Sequence, residues 1–185
     1  MAGDTRTRMI EAAVTALQRH GVAGMSFTEV LRDSGAARGA IYHHFPGGKA
    51  QIVAEAAARN GHDVQAHLAR LPVDDPMMVV DSFLSAIRPV VRASTEGGGC
   101  AVAAVTVEDS GELRQVAATA FTSWVDQLAE RLVTAGLPAR DAADLATTLI
   151  TLLEGAHVLC RAAGSLDPFE KTARAARALV RSRYS

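Results

Sequence analysis

Apolar residues recur at three- and four-residue intervals almost from end to end of the chain, and no stretch alternates as a half-buried strand would. The spacing predicts helices over residues 5–20, 28–34, 38–45, 49–71, 76–93, 100–107, 112–135, 141–163 and 168–181. The punctuation agrees with these bounds. Gly21, Gly35, Gly136 and Gly164 stand where helices should stop, Pro72 and Pro138 close others, and Pro46-Gly47-Gly48 breaks the chain sharply. Ser26 or Thr28 can cap the second helix, and Asp74 or Asp75 the fifth. The expected fold is all-α, with about nine helices: three in front, over residues 1–48, and a larger bundle behind, over residues 49–185.

Composition narrows this picture. Hydrophobic residues make up 49% of the 185 and aromatic residues only 4%, so the interior must be built from Ala, Val, Leu and Ile. Small side chains let helices approach closely but limit what one protomer buries, which favours association between copies. The net charge of −1 is uninformative until it is divided. Residues 1–50 hold six Lys/Arg against four Asp/Glu, a net +2, with His20, His43 and His44 in the same stretch, whereas the remainder is −3. Cys100 and Cys160 read as reduced, buried small hydrophobes. The N-terminus has no apolar core of signal-peptide length, and the richest apolar run, residues 145–159, is interrupted by Glu154 and His157. No membrane span and a cytoplasmic location are therefore expected.

The chemistry concentrates in residues 26–49, where two short helices are joined by a tight turn at Gly35. That is helix-turn-helix spacing, with the second helix suited to a major groove of double-stranded DNA. Val30, Ile41 and Phe45 can face the first helix, which turns Arg38, Gly39, Ala40, Tyr42 and His43 outward. Gly39 and Ala40 are small enough for close approach to base edges, and Arg38 has the fork that pairs with guanine O6 and N7. Tyr42, Lys49 and the hydroxyl of Thr28, if it caps its helix, are placed for phosphates. Each residue taken alone is better explained by ordinary packing or a solvated charge; the combined spacing and residue types point to DNA. His43 and His44 do not read as a metal pair, because neighbours on a helix point about 100° apart.

The run Gly35-Ala36-x-Arg38-Gly39-x-Ile41-Tyr42-His43-His44-Phe45-Pro46-Gly47-Gly48-Lys49 resembles the TetR family of bacterial one-component regulators, and within it the LmrA/YxaF branch linked to drug-resistance regulation. Gly99-Cys100-Ala101-Val102 and Leu153-Glu154-Gly155-Ala156 are similar to the same branch. Leu31 stands where a small Ala is commoner, and the stretch from Phe45 to Lys49 is one residue longer than the general pattern. The resemblance implies a homodimer formed by helices at about 141–163 and 168–181, a palindromic operator, and a small-molecule effector whose cavity in the bundle releases DNA when filled.

Phe83, Ile87, Cys100, Phe121, Trp124 and His157 are candidates to wall that cavity, being apolar with few polar groups; plain core is the alternative for most of them. His157 and Glu154, spaced i, i+3 in the most apolar helix, either satisfy each other, Arg161 or the dimer seam, or place His157 in the pocket. Lys171, Arg174, Arg177 and Arg181 read as a solvated basic face. An enzyme would need a nucleophile beside a base or a metal set, and the sequence has no GxSxG, HExxH or CxxC motif. The expectation is therefore a regulator without catalysis, cofactor or metal. A small all-α enzyme, or a family member that binds ligand but not DNA, are the alternatives.

Overall fold

A computed structural model describes residues 2–184, and the side chains of residues 5–182. The described residues form nine α-helices and no strand: α1 (Ala2–Gly24), α2 (Phe27–Ser34), α3 (Ala40–His44), α4 (Gly48–Leu68), α5 (Pro76–Ser94), α6 (Ala101–Ala104), α7 (Gly111–Thr134), α8 (Ala139–Ala163) and α9 (Asp167–Tyr184). The all-α expectation holds.

Several ends differ from the sequence reading, each for a local reason. α1 runs three residues past Gly21, but Gly21 itself leaves helical geometry at φ 64° and ψ −174°, so the expected stop survives as a kink. Ser26, not Thr28, caps α2: its hydroxyl accepts the Glu29 N–H at 3.2 Å. The helix predicted over 38–45 is only five residues long, because Ala37–Gly39 form a turn closed by Ala40 N–H donating to the Ala37 carbonyl at 2.9 Å. α6 is likewise shorter than 100–107. α4 ends at Leu68 and relaxes into a turn through Leu71, whose carbonyl is claimed by the Arg131 guanidinium, with Nε at 2.9 Å. Asp75 caps α5 through the Met78 N–H at 2.8 Å, with Pro76 in the first turn.

The chain folds as two compact units. One consists of the segment through Asp63 together with Cys100–Ala120; the other consists of Val64–Gly99 and the segment from Phe121 onward. The first unit thus reaches beyond residues 1–48, and α4 and α7 each contribute to both units. In the first, α1 packs on α2 and on α6. Its core is Met9, Ala13, Leu17, Val30, Ile41, Phe45, Ile52 and Ala56, all at most 2% exposed. α4 approaches α7 so closely that a Cβ added at Gly61 would stand 2.8 Å from the Ala120 Cβ; only glycine fits there.

In the second unit α5, α8 and α9 pack pairwise. Two ion pairs tie α5 to α9: Arg88 Nη2 to Glu170 at 2.8 Å and Arg177 Nε to Asp81 at 2.6 Å. Arg177 is therefore engaged, contrary to the solvated face expected for it. α8 is long and apolar enough by length and composition to cross a bilayer, which the sequence reading did not expect. Nine of its residues, from Ala142 to Cys160, are nevertheless buried, as in the core helix of a bundle.

Candidate nucleic-acid interface

The helix-turn-helix is built by α2, the turn at residues 35–39, and α3. Gly35 ends α2 in the left-handed region at φ 66°, a conformation that costs other residues energy but glycine little. Its N–H and that of Ala36 return to the Arg32 and Leu31 carbonyls at 3.3 and 3.1 Å. The Arg8 side chain of α1 adds a third tie at this corner, donating Nε–H to the Ser34 carbonyl at 3.0 Å. A cation there also complements the negative end of α2. At the other end of α2, the Glu29 carboxylate meets His20 Nε2 at 3.0 Å. Both ends of the helix are thus tied to α1.

α3 divides by side. Val30, Ile41 and Phe45 are buried at 0, 2 and 0% exposure, as expected of the residues that join the motif. Tyr42 is 66% exposed, and its ring stands edge-on to Phe27 with centroids 6.0 Å apart. Arg38, Gly39 and His43 are exposed, while Ala40 and Lys49 are partly buried. Thr28, Arg38 and Tyr42 line one open groove of about 530 Å³ together with Phe27, Leu31 and Arg32. Thr28 is exposed in the first turn of α2, so it reaches the groove without being the cap assumed for it. His43 and Lys49 are not among the lining residues. Lys49 points elsewhere, its Nζ 3.4 Å from the Ala23 carbonyl. The His43 and His44 rings meet edge to face at 5.0 Å, closer than their angular separation on a helix suggested.

Gly39 is informative because nothing inside the protein demands it. Its φ of −74° is open to any residue, and a Cβ added there would meet empty space. Arg32 is exposed and its Nε donates to Asp33 at 2.7 Å; the hydrogen bond to Arg32 holds the Asp33 carboxyl below the usual carboxylate range.

The match to known proteins decides the family. Residues 9–56 match the family model for bacterial regulatory proteins of the tetR family. Residues 76–175, more than half the chain, match the transcriptional regulator LmrA/YxaF-like C-terminal domain. The chain belongs to the TetR family of transcriptional regulators, in its LmrA/YxaF-like branch. It is 31% identical over 183 residues to an HTH-type transcriptional regulator of Mycobacterium tuberculosis, covering 95% of this chain and 93% of that one. It is 28% identical over 171 residues to the HTH-type transcriptional regulator LmrA of Bacillus subtilis, covering 90% and 91%. The fold agrees. A TetR-family regulator from Cytophaga hutchinsonii superposes with a TM-score of 0.79 at 22% identity, covering 98% of this chain and 95% of that one. A TetR regulator from Legionella pneumophila also gives 0.79, at 20% identity and with 94% and 95% covered.

The tentative effector residues of this TetR regulator fall on both units. Cys100 belongs to the first, partly buried rather than buried, with its Sγ accepting the Ala103 N–H at 3.3 Å. Phe83, Ile87, Phe121, Trp124 and His157 belong to the second. Phe83, Ile87, Trp124 and His157 are buried, and Phe121 stands edge-on to Trp124 at 5.1 Å. His157 Nδ1 is 2.6 Å from the Ser94 hydroxyl of α5. Ser94 was not among the partners weighed for His157, because it lies 63 residues away. Burial lowers the His157 pKa, so the imidazole is neutral near pH 7. The sequence reading also missed Arg6, Arg8, Gln51 and Glu55. The cap at Ser26 had a visible signal, the Ser-x-x-Glu spacing to Glu29. Gln51 and Glu55 stand at i, i+4 spacing on one helix, whereas Arg6 and Arg8 had no local signal, since their contacts join distant segments.

Proposed function

We propose that this TetR regulator is a ligand-responsive repressor, bound as a homodimer to a palindromic operator and released by a small apolar effector. Arg38, Gly39, Ala40 and His43 face the base edges, with Arg38 bidentate on a guanine. Thr28, Tyr42 and Lys49 take phosphates. Residues 1–48 read DNA, and residues 49–185 bind the effector and the second protomer. The protein acts in the cytoplasm, where its DNA is, and carries no catalytic activity.

The observation that carries this reading is the open space in front of Gly39, between exposed Arg38 and exposed Tyr42. A glycine that neither backbone nor packing requires is explained by an external surface that must come close. The contact of Lys49 with the Ala23 carbonyl is long at 3.4 Å, so a phosphate can replace it at little cost. Exposed Val158, Leu159 and Leu179 on α8 and α9 support the same helices as the dimer seam. Phe83, Ile87, Cys100, Phe121, Trp124 and His157 are the effector residues in this reading.

The test is selection from random duplexes by the purified protein, followed by band shifts over a salt series. A palindromic consensus is expected, with affinity falling linearly in log–log form, because releasing a fixed number of counterions is worth less as salt rises. No enrichment of any sequence would overturn the assignment of residues 38–43 as the reader.

A further inference from the structure

Around the Phe45-Pro46-Gly47-Gly48 corner the structure holds a closed chain of side-chain contacts that DNA reading as proposed above does not use. Gly47 N–H donates to Gln51 Oε1 at 2.9 Å. Gln51 Nε2 donates to Glu55 Oε1, also at 2.9 Å. The other carboxylate oxygen, Glu55 Oε2, receives Arg6 Nη2 at 2.5 Å. The Arg6 guanidinium carbon stands 5.0 Å from the centre of the Phe45 ring. The direction of each bond is fixed: the Gln51 amide needs its oxygen toward Gly47 and its nitrogen toward Glu55, and the carboxylate spends one oxygen on each neighbour. Arg6 thereby joins α1 both to the first turns of α4 and to the residue that ends α3.

α3 has five residues, far too few to hold a helix or its orientation unaided. Its placement must come from what grips its ends. We propose that Arg6, held by Glu55 and Gln51, is a positioning residue for DNA reading. It fixes where α3 ends and α4 begins, and does not itself touch DNA. The proposal rests on α3 being the reader. Arg8 on the Ser34 carbonyl is its counterpart at the other corner of the motif.

The rival role for a half-exposed arginine in this unit is a direct phosphate contact, and the two roles differ in sign at Glu55. Freed from its carboxylate, a phosphate-binding Arg6 would bind DNA more tightly; a positioning Arg6 would let α3 drift and bind less tightly. The experiment uses the full chain with Arg6→Met, Glu55→Gln and the double variant. Each is measured on the operator duplex recovered by selection and on an unrelated duplex of equal length, over a salt series, with thermal unfolding alongside.

Each single variant is expected to weaken operator binding about tenfold, and the double variant no more than either, as for residues acting as one unit. Binding to the unrelated duplex should fall much less than operator binding, and the salt slope should stay unchanged, because Arg6 itself neutralises no phosphate. Tighter binding by Glu55→Gln, or a salt slope reduced by about one charge in Arg6→Met, would overturn the proposal in favour of phosphate contact. Equal loss on both duplexes, in step with a lowered melting temperature, would reduce Arg6 to general stability and overturn it as well. Should Arg6→Met not fold, the isosteric Glu55→Gln decides alone. The reading of α3 is tested separately by Arg38→Ala and Tyr42→Ala; if both bind the operator normally, α3 is not the reader, whatever Arg6 does.

Discussion

Ile41 and Tyr42 are neighbours in α3 and should fail in opposite ways when truncated to alanine. Ile41 is 2% exposed, and losing its buried carbons costs about 2–5 kcal/mol in a packed core. The site lies in a five-residue helix that can settle partly into the space, so the low end, about 2–3 kcal/mol, is expected. Tyr42 is 66% exposed, and among the described residues its one ring contact is the edge-on pair with Phe27 at 6.0 Å. Such pairs contribute about 0.5–1.5 kcal/mol when buried, so about 0.5 kcal/mol is the expected stability loss here. The difference between the variants is thus roughly 2 kcal/mol, well resolved by the midpoint of a urea unfolding curve. Protomer concentration must be held constant, since self-association shifts the midpoint. DNA binding, measured by anisotropy under conditions where both variants are folded, should rank them the other way. Tyr42→Ala should lose about 1.5–3 kcal/mol, the net value of one hydrogen bond to a charged group such as a phosphate. If Tyr42→Ala unfolds as readily as Ile41→Ala and binds DNA normally, the two faces of α3 are assigned the wrong way round.

Other outcomes follow from the same geometry. Arg38→Ala should cost about 1–3 kcal/mol on the operator and relax preference at one base position in a repeated selection, while Lys49→Ala should weaken all duplexes equally and lower the salt slope by about one. A uniform loss for Arg38→Ala would reassign it to the backbone. The His157 pKa lies below its unfolded value near 6.5 because burial disfavours the imidazolium. The unfolded chain therefore binds more protons between the folded value and about 6.5, and stability is fully present above that range and falls as pH drops through it. The decline, followed by denaturation from pH 7.5 to 5, should be smaller in His157→Asn; an identical decline in both would remove His157 as its source. Val158→Asp with Leu159→Asp places charge on exposed apolar positions of α8. Sedimentation should then report monomer and operator binding should fall; a persistent dimer would move the seam elsewhere.

Much of this molecule was legible locally. The kink at Gly21, the turn at Gly35, the Asp75 cap and the break at Pro46-Gly47-Gly48 lie where glycine, proline and capping residues announce them, since each depends on backbone preferences acting over a few residues. The burial of Val30, Ile41 and Phe45 followed from helical periodicity alone. Misreadings occurred where two local solutions competed. Ser26 and Thr28 could both cap α2, and only the realised bond from Glu29 N–H to Ser26 chose between them. Arg38 read as helical, but the turn bond from Ala40 to Ala37 placed it just before the helix.

By itself, the sequence determined the all-α class, the positions of most helices, the helix-turn-helix and the family, because periodicity and a dense run of motif residues are encoded between near neighbours. Tertiary structure alone decided which side chains hold those elements in place. Arg6 meets Glu55 across 49 residues, Arg8 meets Ser34 across 26, and Ser94 meets His157 across 63. No spacing rule reaches so far. A charged or polar residue finds such a partner only once the apolar faces have packed, and the partner it finds depends on the angle at which the helices cross.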